Sequence, residues 1–272
     1  MVTFPNCKIN LGLNILQKRE DGFHDIETVF YPIPVYDVLE IVSSENKTEF
    51  KNTGISGGDI QNNLCFSAYQ LLKRDYAQLP EIKMHLHKTI PVGAGLGGGS
   101  ADAAFTLSSL NKKYNLNISQ SKLFDYALQL GSDCPFFILN KPCFAAGRGE
   151  QTEEIPLSLS SYKILIITPG IHINTKEIFQ FIKPIQPFKR IKDIVREPIL
   201  NWKNTLVNDF EKIVFSIHPE IKKIKEGLYF HNAVYASMTG TGSTVFGIFN
   251  KEDDIKVPVE KEYFHKWVNG LS

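Results

Sequence analysis

Pro91-Val92-Gly93-Ala94-Gly95-Leu96-Gly97-Gly98-Gly99-Ser100 is a glycine-rich segment set between two differently patterned stretches. Ahead of it, Ile82 to His87 alternates as a strand; behind it, Ala101, Ala104, Leu107 and Leu110 recur at helical spacing. Glycine permits φ > 0 and lets a ligand approach the backbone closely. Consecutive N–H groups followed by the positive end of a helix form an anion site. Ser100 can cap that helix or donate to a phosphate oxygen. The Gly93, Gly95, Gly98 spacing is GxGxxG, yet a dinucleotide-binding unit wants an acidic residue about 20 positions on. Asn111 to Ser121 offers none, and no lysine closes the loop as a Walker A motif requires. A flexible hinge is the other reading, but five glycines before a capped helix are costly to order unless something uses their backbone.

Outward from the loop, the chain mixes element types. Ile9, Leu11, Leu13 and Ile15 predict one strand face, with Lys8, Asn10, Gly12 and Asn14 on the other. Asp21-Gly22 predicts a turn, Ile26 to Tyr31 a returning strand, and Val38 to Val42 another. Gly54 to Asn63 reads as a loop and Leu64 to Leu72 as a helix. Ser121 is expected to cap a helix ending at Leu130, with Gly131 as its stop. Residues 162–168 predict a buried strand near the start of a second domain. Two prolines close together, followed by Lys189, Arg190, Lys192 and Arg196, make 183–200 a mobile or irregular connection, and Ala233 to Phe249 returns to strand-like, glycine-rich sequence. Outside simple βα alternation, this mixture predicts an α+β architecture, divided as residues 1–155 and 156–272.

Composition narrows the classes. Of 272 residues, 43% are hydrophobic and 22% charged, as in a folded domain rather than a disordered chain. Thirty Lys and Arg against 29 Asp and Glu give a net charge of +1, without the basic excess of a nucleic-acid binder. Cys7, Cys65, Cys134 and Cys143 are scattered, which fits neither a zinc ribbon nor a disulfide framework. With no signal-peptide pattern and no apolar run long enough for a span, a soluble cytoplasmic protein is expected, with no membrane or nucleic-acid partner. His85 and His87 share a strand face, but no third ligand is nearby for a metal.

The loop resembles that of the GHMP kinases, the family of galactokinase, homoserine kinase, mevalonate kinase and phosphomevalonate kinase. Pro91 to Ala104 follows the family form throughout, and the run from Leu96 to Ala104 narrows it. Three further segments extend the likeness over nearly the whole chain. They are Lys8-Ile9-Asn10-Leu11 with Arg19 to His24, Gly131 to Phe137, and Thr239 to Ser243 leading into Val245-Phe246-Gly247. The resemblance implies a two-domain α+β GHMP kinase fold with the active site in the interdomain cleft. It implies ATP as cosubstrate, Mg²⁺ with it, and γ-phosphate transfer to a hydroxyl of a small molecule. The likeness is greatest to members whose substrate carries a cytidine diphosphate moiety. Homoserine or mevalonate as acceptor, or a non-catalytic nucleotide sensor, are the competing readings.

Carried onto this sequence, the resemblance places ATP on Pro91, Gly93, Ala94, Gly95, Leu96, Gly97, Gly98, Gly99, Ser100 and Ala101. Asn63 and Lys88 would lie toward its adenosine end, though either reads equally as ordinary surface. Asp133 by spacing alone is a turn-capping carboxylate; the resemblance makes it the base that takes the substrate proton. Lys8 by pattern is a solvated lysine; the resemblance puts it beside that carboxylate. Asn10, Phe23, His24, Thr175 and Phe179 would bind substrate, with the base stacked between Phe23 and Phe179 and its edge read by His24. Thr239, Gly240, Thr241, Gly242 and Ser243 would close the phosphate side. No protein ligand for Mg²⁺ is assigned, although Ser100 and Asp102 lie near the loop in sequence.

Overall fold

The structure is a computed structural model that describes residues 1–55 and 63–271. Its strands in chain order are β1 (Val2–Thr3), β2 (Asn6–Lys18), β3 (His24–Tyr36), β4 (Val38–Ser43), β5 (Glu49–Gly54), β6 (Ile82–Lys88), β7 (Cys143–Ala146), β8 (Gln151–Glu154), β9 (Tyr162–Thr168), β10 (Tyr235–Met238), β11 (Val245–Asn250) and β12 (Phe264–Asn269). Its helices are α1 (Leu64–Asp75), α2 (Gly98–Lys113), α3 (Gln120–Leu130), α4 (Cys134–Leu139), α5 (Thr175–Phe181), α6 (Ile191–Ile194), α7 (Glu211–Ile217) and α8 (Pro219–Phe230). Of the loop expected over 54–63, residues 56–62 lie outside the described residues.

Two compact units share the chain discontinuously. The first holds residues 1–7, 35–92 and 97–140. Its sheet runs β1-β4-β6-β5, with β4 antiparallel and β5 parallel to β6. Alternation along β6 buries Ile82, Met84 and Leu86, which pack with Leu107 and Leu110 of α2 and Tyr126 of α3. The helical spacing read downstream of the glycine loop is therefore the core face of α2. Around α3 the expectation needs a correction: Ser119, not Ser121, accepts from the Lys122 N–H at 3.3 Å and caps the helix. Gly131 ends it as expected.

The second unit holds residues 8–34, 93–96 and 141–272 and contains two sheets. One runs β2-β3-β7-β8; the other runs β10-β11-β9-β12, with β9 antiparallel to both neighbours. Leu165 and Ile167 of β9 pack with Val245, Phe249, Phe210 and Leu228. The polar face of β2 is not solvated: Lys8 is 3% and Asn10 1% exposed, so both faces of this strand are interior. Segment 183–200 is more ordered than its prolines and charges suggested. It contains α6, buries Ile191, Ile194, Val195 and Ile199, and is tied down by Arg190 on Glu27 and Lys192 on Glu153.

Candidate active site

The glycine loop is contributed to both units, and each part is built differently. In the second unit, residues 93–96 are stitched to β2 and to the 239–244 turn. The Lys8 N–H donates to the Leu96 carbonyl at 3.0 Å, and Thr244 N–H donates to the Ala94 carbonyl at 3.2 Å. Lys8 Nζ donates to Asn10 Oδ1 at 2.6 Å and to the Gly95 carbonyl at 3.1 Å, and lies 5.1 Å from the centre of the Phe30 ring. Thr239 Oγ1 accepts from the Asn10 N–H at 3.0 Å, and its own hydrogen faces the Asn10 Oδ1 and Gly95 carbonyl oxygens, both at 3.1 Å. Asn10 Nδ2 in turn donates to Thr28 Oγ1 at 2.9 Å. Lys8, Asn10, Gly95 and Thr239 thus form one buried, mutually satisfied polar cluster.

Gly95 has φ of +80°, and a Cβ there would stand 2.1 Å from the Thr239 carbonyl oxygen. Only glycine allows this approach of loop to turn. The turn itself is braced. Gly242 N–H donates to the Thr239 carbonyl at 3.0 Å, and Ser243 Oγ donates to the Ile171 carbonyl at 2.7 Å. Asn208 Nδ2 holds the Gly240 carbonyl at 2.9 Å, while Thr241 and Thr175 share a hydroxyl–hydroxyl bond at 2.9 Å. Asn208 was not singled out in sequence, because a lone asparagine between helices carries no pattern.

In the first unit, Gly97 takes the left-handed conformation (φ 71°) and α2 starts at Gly98. No side chain caps this helix, and its first turn has no acidic residue. The leading N–H groups are therefore left for another acceptor, and the helix dipole favours an anion there. Ser100 is the third residue of α2 rather than its cap. Its hydroxyl hydrogen-bonds the Cys134 thiol, which burial pushes up to about 12.

Lys88 and Asn63 sit in structural settings. Asn63 Oδ1 accepts from the Cys65 N–H at 2.9 Å and caps α1. Lys88, 4% exposed, donates to Asp102 Oδ2 at 2.7 Å and to Asp37, which also accepts from the Thr89 and Ile90 N–H groups. Burial pushes the Asp102 carboxyl up to about 7. Asp37 was not recognised in sequence, since a single Asp between two strands looks like any turn residue. Asp133 takes the first position before α4, but its side chain makes no capping bond, so the turn-cap account suggested by spacing is not what the structure has. Asp133 lies in the first unit and Lys8 in the second.

Around the expected base pocket, the aromatic pairing differs from the anticipated one. His24 stacks on Phe179, with centroids 4.7 Å apart and planes 22° from parallel. Phe179 meets Phe210 edge-on at 4.9 Å. Phe23 is 51% exposed, and its ring lies 4.7 Å from the Arg148 guanidinium. Burial, with help from Lys18, holds His24 below the usual 6.5, so the ring is neutral at pH 7 and can both donate and accept.

The α2 start, preceded by the glycine loop and left without a side-chain cap, is suited to receive an anion such as phosphate. Residues 63–141 match the family described as GHMP kinases N terminal domain, and residues 189–263 match GHMP kinases C terminal. The chain is 49% identical to a 4-diphosphocytidyl-2-C-methyl-D-erythritol kinase of Bacteroides fragilis over 94% of both chains. It is 51% identical to one of Azobacteroides pseudotrichonymphae, over 92% of this chain and 94% of that one. A crystal structure of 4-(cytidine 5'-diphospho)-2C-methyl-D-erythritol kinase superposes with a TM-score of 0.78 at 29% identity, covering 91% of this chain and 90% of that one. The chain belongs to the GHMP kinase family, among the 4-diphosphocytidyl-2-C-methyl-D-erythritol kinases. Its cosubstrate is ATP and its acceptor a small molecule. No described helix is long and apolar enough to cross a membrane.

Proposed function

We infer that this protein transfers the γ-phosphoryl group of ATP to the 2-hydroxyl of 4-diphosphocytidyl-2-C-methyl-D-erythritol, a step of non-mevalonate isoprenoid precursor biosynthesis. The observation that carries the reading is the near-full-length identity of about half to kinases of that name. Four free, buried cysteines fit a reducing cytoplasm, where we place it.

Phosphoryl transfer asks a protein mainly for positioning and charge stabilisation. In this reading the N–H groups from Gly93 through Ser100 take the ATP phosphates, while the Ala101 N–H is held by the Gly97 carbonyl at 2.9 Å. Asp133 accepts the proton of the 2-hydroxyl. Lys8, immobilised by Asn10 and Gly95, holds its ammonium where charge develops. The Thr239–Ser243 turn closes the phosphate side and keeps Gly95 in place. Phe23, His24, Phe179, Asn10 and Thr175 receive the cytidine diphosphate portion, with the neutral His24 reading the pyrimidine edge. Lys88 acts beneath the loop, tying the α2 start to β6, and Asn63 orders α1.

Mg²⁺ accompanies ATP in this reading and neutralises phosphate charge. Among the described residues no group of three or more His, Cys, Asp or Glu is placed to hold an ion, and Asp102 is engaged by Lys88. No side chain is named as a ligand of the ion.

Asp133→Asn and Lys8→Met test the roles. Each should lower kcat by roughly 10²-fold or more while leaving the KM for ATP within a few-fold. A variant that keeps wild-type kcat removes that residue from the chemistry.

A further inference from the structure

We propose that Arg148 is a positioning residue for the cytidine diphosphate substrate: its guanidinium covers one face of Phe23 and fixes the ring so that a pyrimidine stacks on the other. This deepens the reading above and rests on it. Phe23 sits at the tip of the β2–β3 hairpin, half exposed, where an unsupported ring would sample several rotamers. The hairpin backbone is closed by Arg19 N–H on the Phe23 carbonyl at 2.8 Å and Phe23 N–H on Asp21 Oδ1 at 3.1 Å. Nothing in that closure sets the plane of the ring.

Arg148 does. Its guanidinium stands 4.7 Å from the ring centre, within cation–π range. It comes from a separate turn, between β7 and β8, whose own geometry is fixed. Gly149 N–H donates to the Ala146 carbonyl at 3.0 Å, and Arg148 N–H donates to Glu150 Oε2 at 2.6 Å. The Gly147 carbonyl accepts from the Ile26 N–H at 2.7 Å, which ties that turn to β3 three residues beyond Phe23. The Arg19 hydrogen bond, then the Phe23 N–H and last the charge of Arg148 hold the Asp21 carboxyl below its usual value. A planar cation thus lies against the ring, and one ring face is left for a base.

The test is CDP binding by calorimetry, with steady-state kinetics, for wild type, Arg148→Ala and Arg148→Lys, each checked for an unchanged thermal melt. Arg148→Ala should weaken CDP binding and raise the KM for the cytidine substrate about 3- to 10-fold, with kcat and the KM for ATP unchanged. Arg148→Lys, which keeps the charge and loses the plane, should behave nearer to Ala. Full rescue by Lys, with binding that falls steeply with salt, would overturn ring support in favour of bare charge. Wild-type affinity in Arg148→Ala would overturn the proposal while the substrate reading stands. A wild-type protein that does not bind CDP would overturn both.

Discussion

Lys88 Nζ lies 2.7 Å from Asp102 Oδ2, with both side chains almost wholly shielded from water and Asp37 on the same ammonium. One cation therefore serves two buried carboxylates at the point where β6 ends and α2 begins. Asp102 Oδ1 has no hydrogen-bond partner, which makes the cluster dependent on Lys88. Lys88→Met should destabilise the protein by about 3–5 kcal/mol in urea unfolding, because it leaves Asp37 and Asp102 buried without their shared cation. Adding Asp102→Asn to that variant should recover part of the loss, since one buried charge is removed. A single variant within about 1 kcal/mol of wild type would contradict this account of the cluster.

Two glycines of the loop should respond in opposite ways. Gly95→Ala drives a methyl into the Thr239 carbonyl at a φ that L residues rarely adopt, so the loop must move. Activity should fall at least tenfold, with a lower melting temperature. Gly99 has helical backbone, and its nearest obstacle is Leu64 Cδ1 at 3.9 Å. Gly99→Ala should leave the melt unchanged or slightly higher. If its backbone faces phosphate, the KM for ATP should nevertheless rise. Equal melts for both variants would show that the Gly95–Thr239 approach is not needed.

The Thr239 hydroxyl bridges Asn10 and Gly95 from the opposite end of the chain. Thr239→Val keeps the shape and orphans the Asn10 N–H, at a cost of about 1–3 kcal/mol. Differential scanning calorimetry should record that loss, and Thr239→Ser should restore most of it. No loss in the Val variant would mean that the bond adds nothing net.

His24 supplies a pH signature. Its folded pKa lies below 6.5, so the unfolded chain takes up the proton first. Any contribution of this ring to stability is intact above pH 6.5 and is lost as pH falls toward the folded value. Substrate affinity should follow the same direction: flat from pH 7.5 to 6.5, then weakening as the ring becomes a double donor. His24→Gln should remove the pH dependence while keeping a donor and an acceptor. An affinity that rises on acidification would contradict a neutral ring.

Much of this architecture is written locally. The glycine run, the periodic Ala101, Ala104, Leu107 and Leu110, and the alternation of β6 each fix an element through a pattern of period near 3.6 or 2. What escapes such patterns is pairing across the chain. Lys8 looked like a surface lysine because alternation predicts a wet face, whereas both faces of β2 are buried. Asp37, Asn208 and Arg148 have no signature at all; their roles come from partners far away in sequence. The edge strand β12 was missed because most of its side chains are exposed, so no apolar alternation marks it. The stack of His24 on Phe179 joins residues 155 positions apart, and which ring covers which is decided by packing rather than by spacing.

The most direct measurement is ATP consumption by the purified protein with Mg²⁺ and 4-diphosphocytidyl-2-C-methyl-D-erythritol, with homoserine and mevalonate run alongside. Turnover with the cytidine substrate alone is the predicted result. Turnover with homoserine or mevalonate in its place would contradict the substrate assignment, and silence with all three while ATP still binds would contradict the kinase itself.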